Sequence, residues 1–185
     1  RVEAASTAIG SAISLARAQA LGNRRYVAVV IPATTANGNA DLQPYIYKGY
    51  RLCFVNHTGN NYVFDAWLPD SKWQLLPEGT AFLEVSNDDS SLNRAKQPNL
   101  NNYGGLGNIK NLKPIETAGA IDLNQCAIIF TPFGGTINDA LYIWVTEGVF
   151  NSPSSMTVTH KDTGGTPLDW RWLKVNKFTG KVSYE

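Results

Sequence analysis

The sequence predicts an α+β domain in which one N-terminal helix packs on antiparallel β-sheets. Residues 2–21 contain no proline, are rich in alanine and place apolar residues at helical spacing. Beyond a glycine-asparagine pair the period of the apolar residues changes to two, which is typical of strands. A chain of 185 residues that is 43% hydrophobic is long enough to bury one substantial core, so we predict a single domain over residues 1–185.

The predicted helix has one narrow apolar face. Ile9, Ile13, Ala16 and Ala20 follow one another at spacings of four, three and four, and we expect this face to pack on the sheet. At a rise of 1.5 Å per residue the helix would be about 30 Å long. The glycine and asparagine at 22–23 predict a left-handed C-terminal end there. Because the face is made largely of small side chains, the helix depends on the sheet for its stability.

The rest of the chain is predicted to be β-rich. Turn-forming residues at 57–61 and at 178–181 predict two antiparallel hairpins. Two stretches without a clear period, near 33–48 and 86–124, are predicted to be long irregular insertions. The predicted strands lie at 26–31, 50–55, 62–67, 80–85, 127–130, 141–146, 172–175 and near Val182.

The charge balance bears on possible partners, and the cysteine positions bear on the core. Lysines and arginines number 16 against 15 acidic residues, so no overall field would attract nucleic acid, and we expect no such partner. Cys53 and Cys126 stand inside apolar runs, where a thiol behaves as a small buried hydrophobe. Whether the two cysteines form a disulfide is left open by the sequence.

The sequence contains none of the common catalytic motifs. It lacks a Gly-x-Ser-x-Gly elbow, a His-Glu-x-x-His pair and a glycine-rich phosphate loop before a helix, so we expect neither an enzyme nor a bound cofactor. One loop gathers the oxygen ligands that calcium prefers, and it is either a calcium site or a solvated turn. Its candidate ligands are Asn87, Asp88, Asp89 and Ser91.

Aromatic residues alternate with aliphatic ones in two predicted strands. Tyr142 and Trp144 share one face of the first strand, and Trp170 and Trp172 share one face of the second. The aliphatic faces suit the helix. The aromatic faces then form either a second small core under the 86–124 stretch or an uncovered interface for a partner or ligand.

Four segments, in order along the chain, resemble one family. Residues 12–30 are similar to the helix-to-first-strand junction of the GspH/FimT pseudopilins, which are type IV pilin-like proteins. Leu-Pro-Glu-Gly-Thr at 76–80 resembles the family's Leu-Pro-x-Gly turn, and Ile-Phe-Thr-Pro-Phe-Gly at 129–134 resembles its Ile-Phe-x-Pro-x-Gly strand end. Residues 173–175 and 179–182 resemble its closing hairpin.

The resemblance implies a pilin-like fold and a structural role. Residues 1–22 would be the C-terminal half of the pilin helix and 24–185 the β-rich region, with the membrane-spanning half of the helix preceding this sequence. The whole protein would be anchored in the inner membrane, lie in the periplasm, and join other pseudopilins or pilins in a type II secretion pseudopilus or type IV pilus. Without the membrane half, this chain is expected to be a monomer or weak oligomer.

One alternative from a different functional class stays open. A secreted β-rich binding module, such as an adhesin or carbohydrate binder, could stack sugar rings on the five tryptophans of this chain. That function requires several of the tryptophans to lie coplanar on one exposed face.

Overall fold

The structure is a computed structural model that describes residues 1–33, 36, 38–87, 103–152 and 155–184. Within these residues it contains one α-helix, a short 3₁₀ turn at Gln43–Tyr45 and eleven strands. The elements are α1 (Val2–Asn23), β1 (Tyr26–Val30), β2 (Gly49–Thr58), β3 (Asn61–Trp67), β4 (Gln74–Leu75), β5 (Thr80–Ser86), β6 (Gly107–Leu112), β7 (Ile121–Phe130), β8 (Leu141–Ser152), β9 (Ser155–Val158), β10 (Trp170–Val175) and β11 (Val182–Tyr184).

Helix α1 ends later than the sequence predicted. The residue in the left-handed conformation is Arg24, with φ 51°, and the amide of Arg25 donates to the carbonyl of Ala20 at 3.2 Å. The predicted end at residues 22–23 is therefore wrong, because both of these residues are helical. Asn23 stays in the last turn since its side-chain amide donates to the carbonyl of Gln19 at 2.9 Å.

Five strands close into a ring. Strand β1 pairs with β2 on one side and with β7 on the other, and β6 and β3 complete the circle between β7 and β2. Strand β4 pairs with the first two residues of β2, outside the ring. The β2–β3 pair is the predicted hairpin, confirmed with Gly59 at φ 61° in its turn.

The predicted sheets were antiparallel throughout, and the ring departs from this at one pair of strands. Strands β3 and β6 pair in parallel, with Val63 opposite Lys110. Strand β6 and the first four residues of β7 lie inside 86–124, which was predicted to be irregular. Strand β6 was not predicted because half of its six residues are polar and only Ile109 and Leu112 are fully buried.

A second sheet has the order β11, β10, β8 and β5, and β9 pairs with the far end of β8. The β10–β11 pair is the predicted C-terminal hairpin, with Val175 opposite Val182. Helix α1 contacts strands of both the ring and this sheet. The fully buried residues that meet around the helix include Ile9, Ile13, Ala16 and Ala20 of α1 and Leu141, Ile143, Val145, Leu173 and Val175 of the sheet.

The two cysteines lie in the core of the ring. Cys53 on β2 and Cys126 on β7 are fully buried and unbonded, so the prediction of buried thiols is confirmed. Burial raises the pKa of the Cys126 thiol to about 12 and raises the pKa of the Cys53 thiol still further.

Among the described residues, no helix combines the length and the apolar character needed to cross a membrane.

Candidate assembly surface

The turn between β10 and β11 is fixed against helix α1. Arg17 donates from Nε to the carbonyl of Thr179 at 2.5 Å, and the amide of Gly180 closes the turn onto the carbonyl of Asn176 at 2.7 Å. Gly180 has φ 64°, and a Cβ atom there would lie 3.1 Å from Cδ of Arg17 and 2.9 Å from Cε1 of Phe130. Only glycine fits this contact between hairpin, helix and β7.

The turn that follows β7 lies directly beside that hairpin. The amide of Gly134 donates to the carbonyl of Thr131 at 2.9 Å, and the amide of Thr136 donates across to the carbonyl of Lys177 at 2.8 Å. Gly134 faces the end of the helix, since a Cβ atom on it would lie 3.1 Å from Cδ2 of Leu21. The two turns therefore form one unit against the last turns of α1.

This unit holds two phenylalanines out into solvent. Phe133 is 90% exposed and Phe178 is 84% exposed, and Leu21 beside them is 39% exposed. We call these three residues the helix-end surface. Two bulky aromatic side chains exposed on adjoining turns offer apolar surface of the kind that protein contacts bury.

Basic groups border the helix-end surface. Arg17 and Arg24 lie in and just after the last turns of the helix, and Lys177 next to Phe178 forms an exposed ion pair with Asp139 at 2.7 Å. Exposed charges beside an apolar centre resemble the rim of a protein interface.

The segments that carry the family resemblance mark the two ends of α1. Three of them meet at the helix-end surface, namely 12–30, 129–134 and the closing hairpin. The fourth, at 76–80, lies at the opposite end, where a Cβ atom on Gly79 would be 3.4 Å from Nη1 of Arg1. Its turn is closed by the amide of Thr80, which donates to the carbonyl of Pro77 at 3.1 Å.

The sequence reasoning did not identify the two exposed phenylalanines. Both stand next to turn residues, in Pro-Phe-Gly at 132–134 and Phe-Thr-Gly at 178–180. A large apolar residue inside a tight turn has little chance of reaching the core, and this signal could have found them.

The predicted interface aromatics lie on the second sheet and pack on one another. Tyr142 and Trp144 are buried, while Trp170 and Trp172 are half-buried. Ring centroids lie 4.7 Å apart for Trp144 and Trp170, and 5.5 Å apart for Tyr142 and Trp172. None of the four projects into solvent as the two phenylalanines do.

The remaining two tryptophans form a separate cluster beside the ring. Trp67 and Trp73 have centroids 5.4 Å apart, and their indole nitrogens donate to the carbonyls of Lys113 at 3.1 Å and Pro114 at 3.0 Å. Both are half-buried. The five tryptophans thus form two clusters rather than one exposed plane.

The candidate calcium ligands are only partly described. Asn87 is exposed in a bend after β5, whereas Asp88, Asp89 and Ser91 lie outside the described residues. The choice between a calcium site and a solvated turn stays a prediction.

No protein-family model and no curated protein matches this chain. Among solved structures, it is similar to the type IV minor pilin FimU of Pseudomonas aeruginosa, with a TM-score of 0.49 and 11% sequence identity over 100% of this chain and 87% of that chain.

Proposed function

We propose that this protein is a structural subunit of a pilin-like filament, either a type II secretion pseudopilus or a type IV pilus. One observation carries the proposal. Three of the segments that resemble pseudopilins lie together at one end of the N-terminal helix, where Phe133 and Phe178 are exposed to solvent. A rigid helix with a fixed apolar projection at its end suits a protein that stacks on a neighbouring subunit. An enzyme would not require it.

In this proposal, an apolar continuation of α1 holds the protein in the inner membrane, and the described domain lies in the periplasm. The outward side of α1 carries mainly small residues such as Ala4, Ser11 and Ala18, together with Leu15 at 51% exposure. Small residues allow a neighbouring helix to approach closely. Other pilins or pseudopilins would contact this side and the helix-end surface.

The proposal is tested by removing the two aromatic side chains. The gene carrying Phe133→Ala and Phe178→Ala is expressed in the cells that naturally make the protein, and the subunit is measured in membranes and in sheared filaments. We expect wild-type protein in both fractions and the double variant in membranes alone. Both side chains are almost fully exposed, so the melting temperature should stay nearly unchanged.

Leu168→Ala is the matched control, because Leu168 is also exposed, at 66%, but lies in the segment between β9 and β10. It should enter filaments like the wild type. The proposal is wrong if the double variant assembles normally, or if wild-type protein is absent from filaments. The encoding gene gives a second check, since a leader and about twenty apolar residues should precede α1.

The same reasoning predicts that the described domain alone is a monomer or weak oligomer. Its globular surface offers smaller and more polar contacts than a membrane helix does. Sedimentation velocity measures this directly, and a stable oligomer at micromolar concentration would contradict it.

The carbohydrate-binding alternative is disfavoured by the two separate tryptophan clusters. Acrylamide quenching of tryptophan fluorescence, together with a glycan screen, distinguishes the two functions. Saturable sugar binding that protects the tryptophans from quenching would favour the binding module instead.

A further inference from the structure

Three side chains of the types that can bind a metal ion lie together at the end of the second sheet. They are Glu147 on β8, His160 after β9 and Asp169 just before β10, and their ligand atoms all lie within 4.8 Å of one another. Nδ1 of His160 lies 2.7 Å from Oε2 of Glu147. The side chain of Glu147 is only 17% exposed, whereas that of His160 is 66% exposed.

Backbone pairing places these residues together. Trp170 pairs with Thr146, so the next positions along this antiparallel register are Asp169 and Glu147. On the approach from β9, the amide of Thr159 donates to the carbonyl of Glu147 at 3.3 Å. Glu147 therefore stands where the partner of β8 changes from β10 to β9.

The segment between these strands is closed at its base. The amide of Leu168 donates to the carbonyl of His160 at 2.9 Å, and the hydroxyl of Thr146 donates to the carbonyl of Asp169 at 2.7 Å. These bonds hold His160 and Asp169 on the same side of Glu147. The three side chains come from sequence positions up to 22 apart, and the backbone pairings bring them together.

We propose that Glu147, His160 and Asp169 bind one zinc ion. One imidazole nitrogen and two carboxylates suit zinc, which binds these groups at about 2.0–2.2 Å. Two ligand atoms on one such ion lie about 3–4 Å apart. The ion would replace the hydrogen bond between His160 and Glu147, and the exposed imidazole has room to turn away by the small distance required.

Charge and donor type favour zinc over the hard cations. Two carboxylates and a neutral imidazole carry a charge of −2, which a divalent ion neutralises. Calcium and magnesium prefer oxygen ligands alone, whereas imidazole nitrogen suits zinc and its neighbours among the transition metals. Three protein ligands leave a coordination position for water.

This site is separate from the helix-end surface. Thr80 pairs with Glu147, and Gly79 beside it lies at the N-terminal end of α1. A helix of 22 residues places the two ends about 33 Å apart. Zinc would tie β8 to the segment between β9 and β10, and the proposal stands whether or not the protein forms filaments.

Isothermal titration of tag-free, metal-free protein with zinc chloride tests the site. We expect one zinc per chain, and at least tenfold weaker binding in each of the ligand variants His160→Gln, Glu147→Gln and Asp169→Asn. His57→Gln is the matched control, because His57 is the other histidine of the chain and stacks on Tyr62, with ring centroids 4.6 Å apart. It should bind zinc like the wild type.

Cobalt provides a spectroscopic readout of the same site. Visible absorption of bound Co²⁺ should appear in the wild type and in His57→Gln and be lost in His160→Gln. Calcium chloride should bind at least tenfold more weakly than zinc chloride. The proposal is overturned if zinc does not saturate at one ion per chain, if the three ligand variants bind like the wild type, or if calcium binds equally well.

Discussion

The packing of α1 on both sheets can be tested at Ile13. This side chain is fully buried among the strands that flank the helix. Replacing it with alanine removes three carbon groups, which at about 0.8 kcal/mol each is about 2.4 kcal/mol of lost burial. The cavity adds to this, and the better helix propensity of alanine returns a few tenths. We expect Ile13→Ala to lower the free energy of unfolding by about 3 kcal/mol.

The control lies two residues away on the same helix. Leu15 is 51% exposed, so Leu15→Ala removes a similar number of carbon groups but loses only about half as much burial and leaves no closed cavity. We expect a loss of about 1 kcal/mol or less. Comparing two alanine variants of one helix removes most of the effect of helix propensity.

Urea denaturation followed by circular dichroism measures the difference. With a slope of about 2 kcal/mol per molar urea, the midpoint should fall by about 1.5 M for Ile13→Ala and by about 0.5 M or less for Leu15→Ala. Equal shifts in the two variants would refute the placement of Ile13 in the core. A change only in the slope of unfolding free energy against urea concentration would also refute it, because such a change indicates an altered unfolded state.

Three further measurements test other parts of the structure. Gly180→Ala should lower the melting temperature more than Gly59→Ala does. Both glycines have positive φ, at 64° and 61°, but only at Gly180 would an added Cβ have other atoms within 4 Å. Equal losses of melting temperature in the two variants would contradict the close contact. Cys53 and Cys126 should react with a thiol reagent only on unfolding, and reductant should leave the melting temperature unchanged, because burial raises both pKa values and no bond joins the sulfurs. Burial also raises the pKa of Glu84 above its usual 4.5, so the folded protein binds this proton more tightly than the unfolded chain does. The ionisation of Glu84 therefore lowers the free energy of unfolding as the pH rises above 4.5. Glu84→Gln should therefore raise the melting temperature relative to wild type at pH 7 and change it less at pH 4, and a larger gain at pH 4 would contradict the sign.

Much of the local structure follows from the sequence because it depends on local patterns. The spacing of Ile9 and Ile13 predicts a helix, and alternation predicts strands such as β1 and β10, since each periodicity places apolar groups on one side of one element. Glycine in the turns of residues 57–61 and 178–181 predicts both hairpins, because positive φ is inexpensive only for glycine. The exact end of α1 does not follow from the sequence. The hydrogen bond from the amide of Arg25 to the carbonyl of Ala20 places the left-handed residue at Arg24, not at Gly22.

Tertiary structure alone decides how distant segments meet. Strand β6 is too polar to be recognised from its own sequence, and it becomes a strand because β7 and β3 supply its partners and close the ring. Phe133 and Phe178 are 45 positions apart and lie on adjoining turns only because the segments that carry them are hydrogen-bonded to each other at the end of α1. Glu147, His160 and Asp169 likewise form a cluster through the register of β8 with β10. Sequence patterns report each element's own faces, whereas contacts between elements depend on pairings that no local pattern contains.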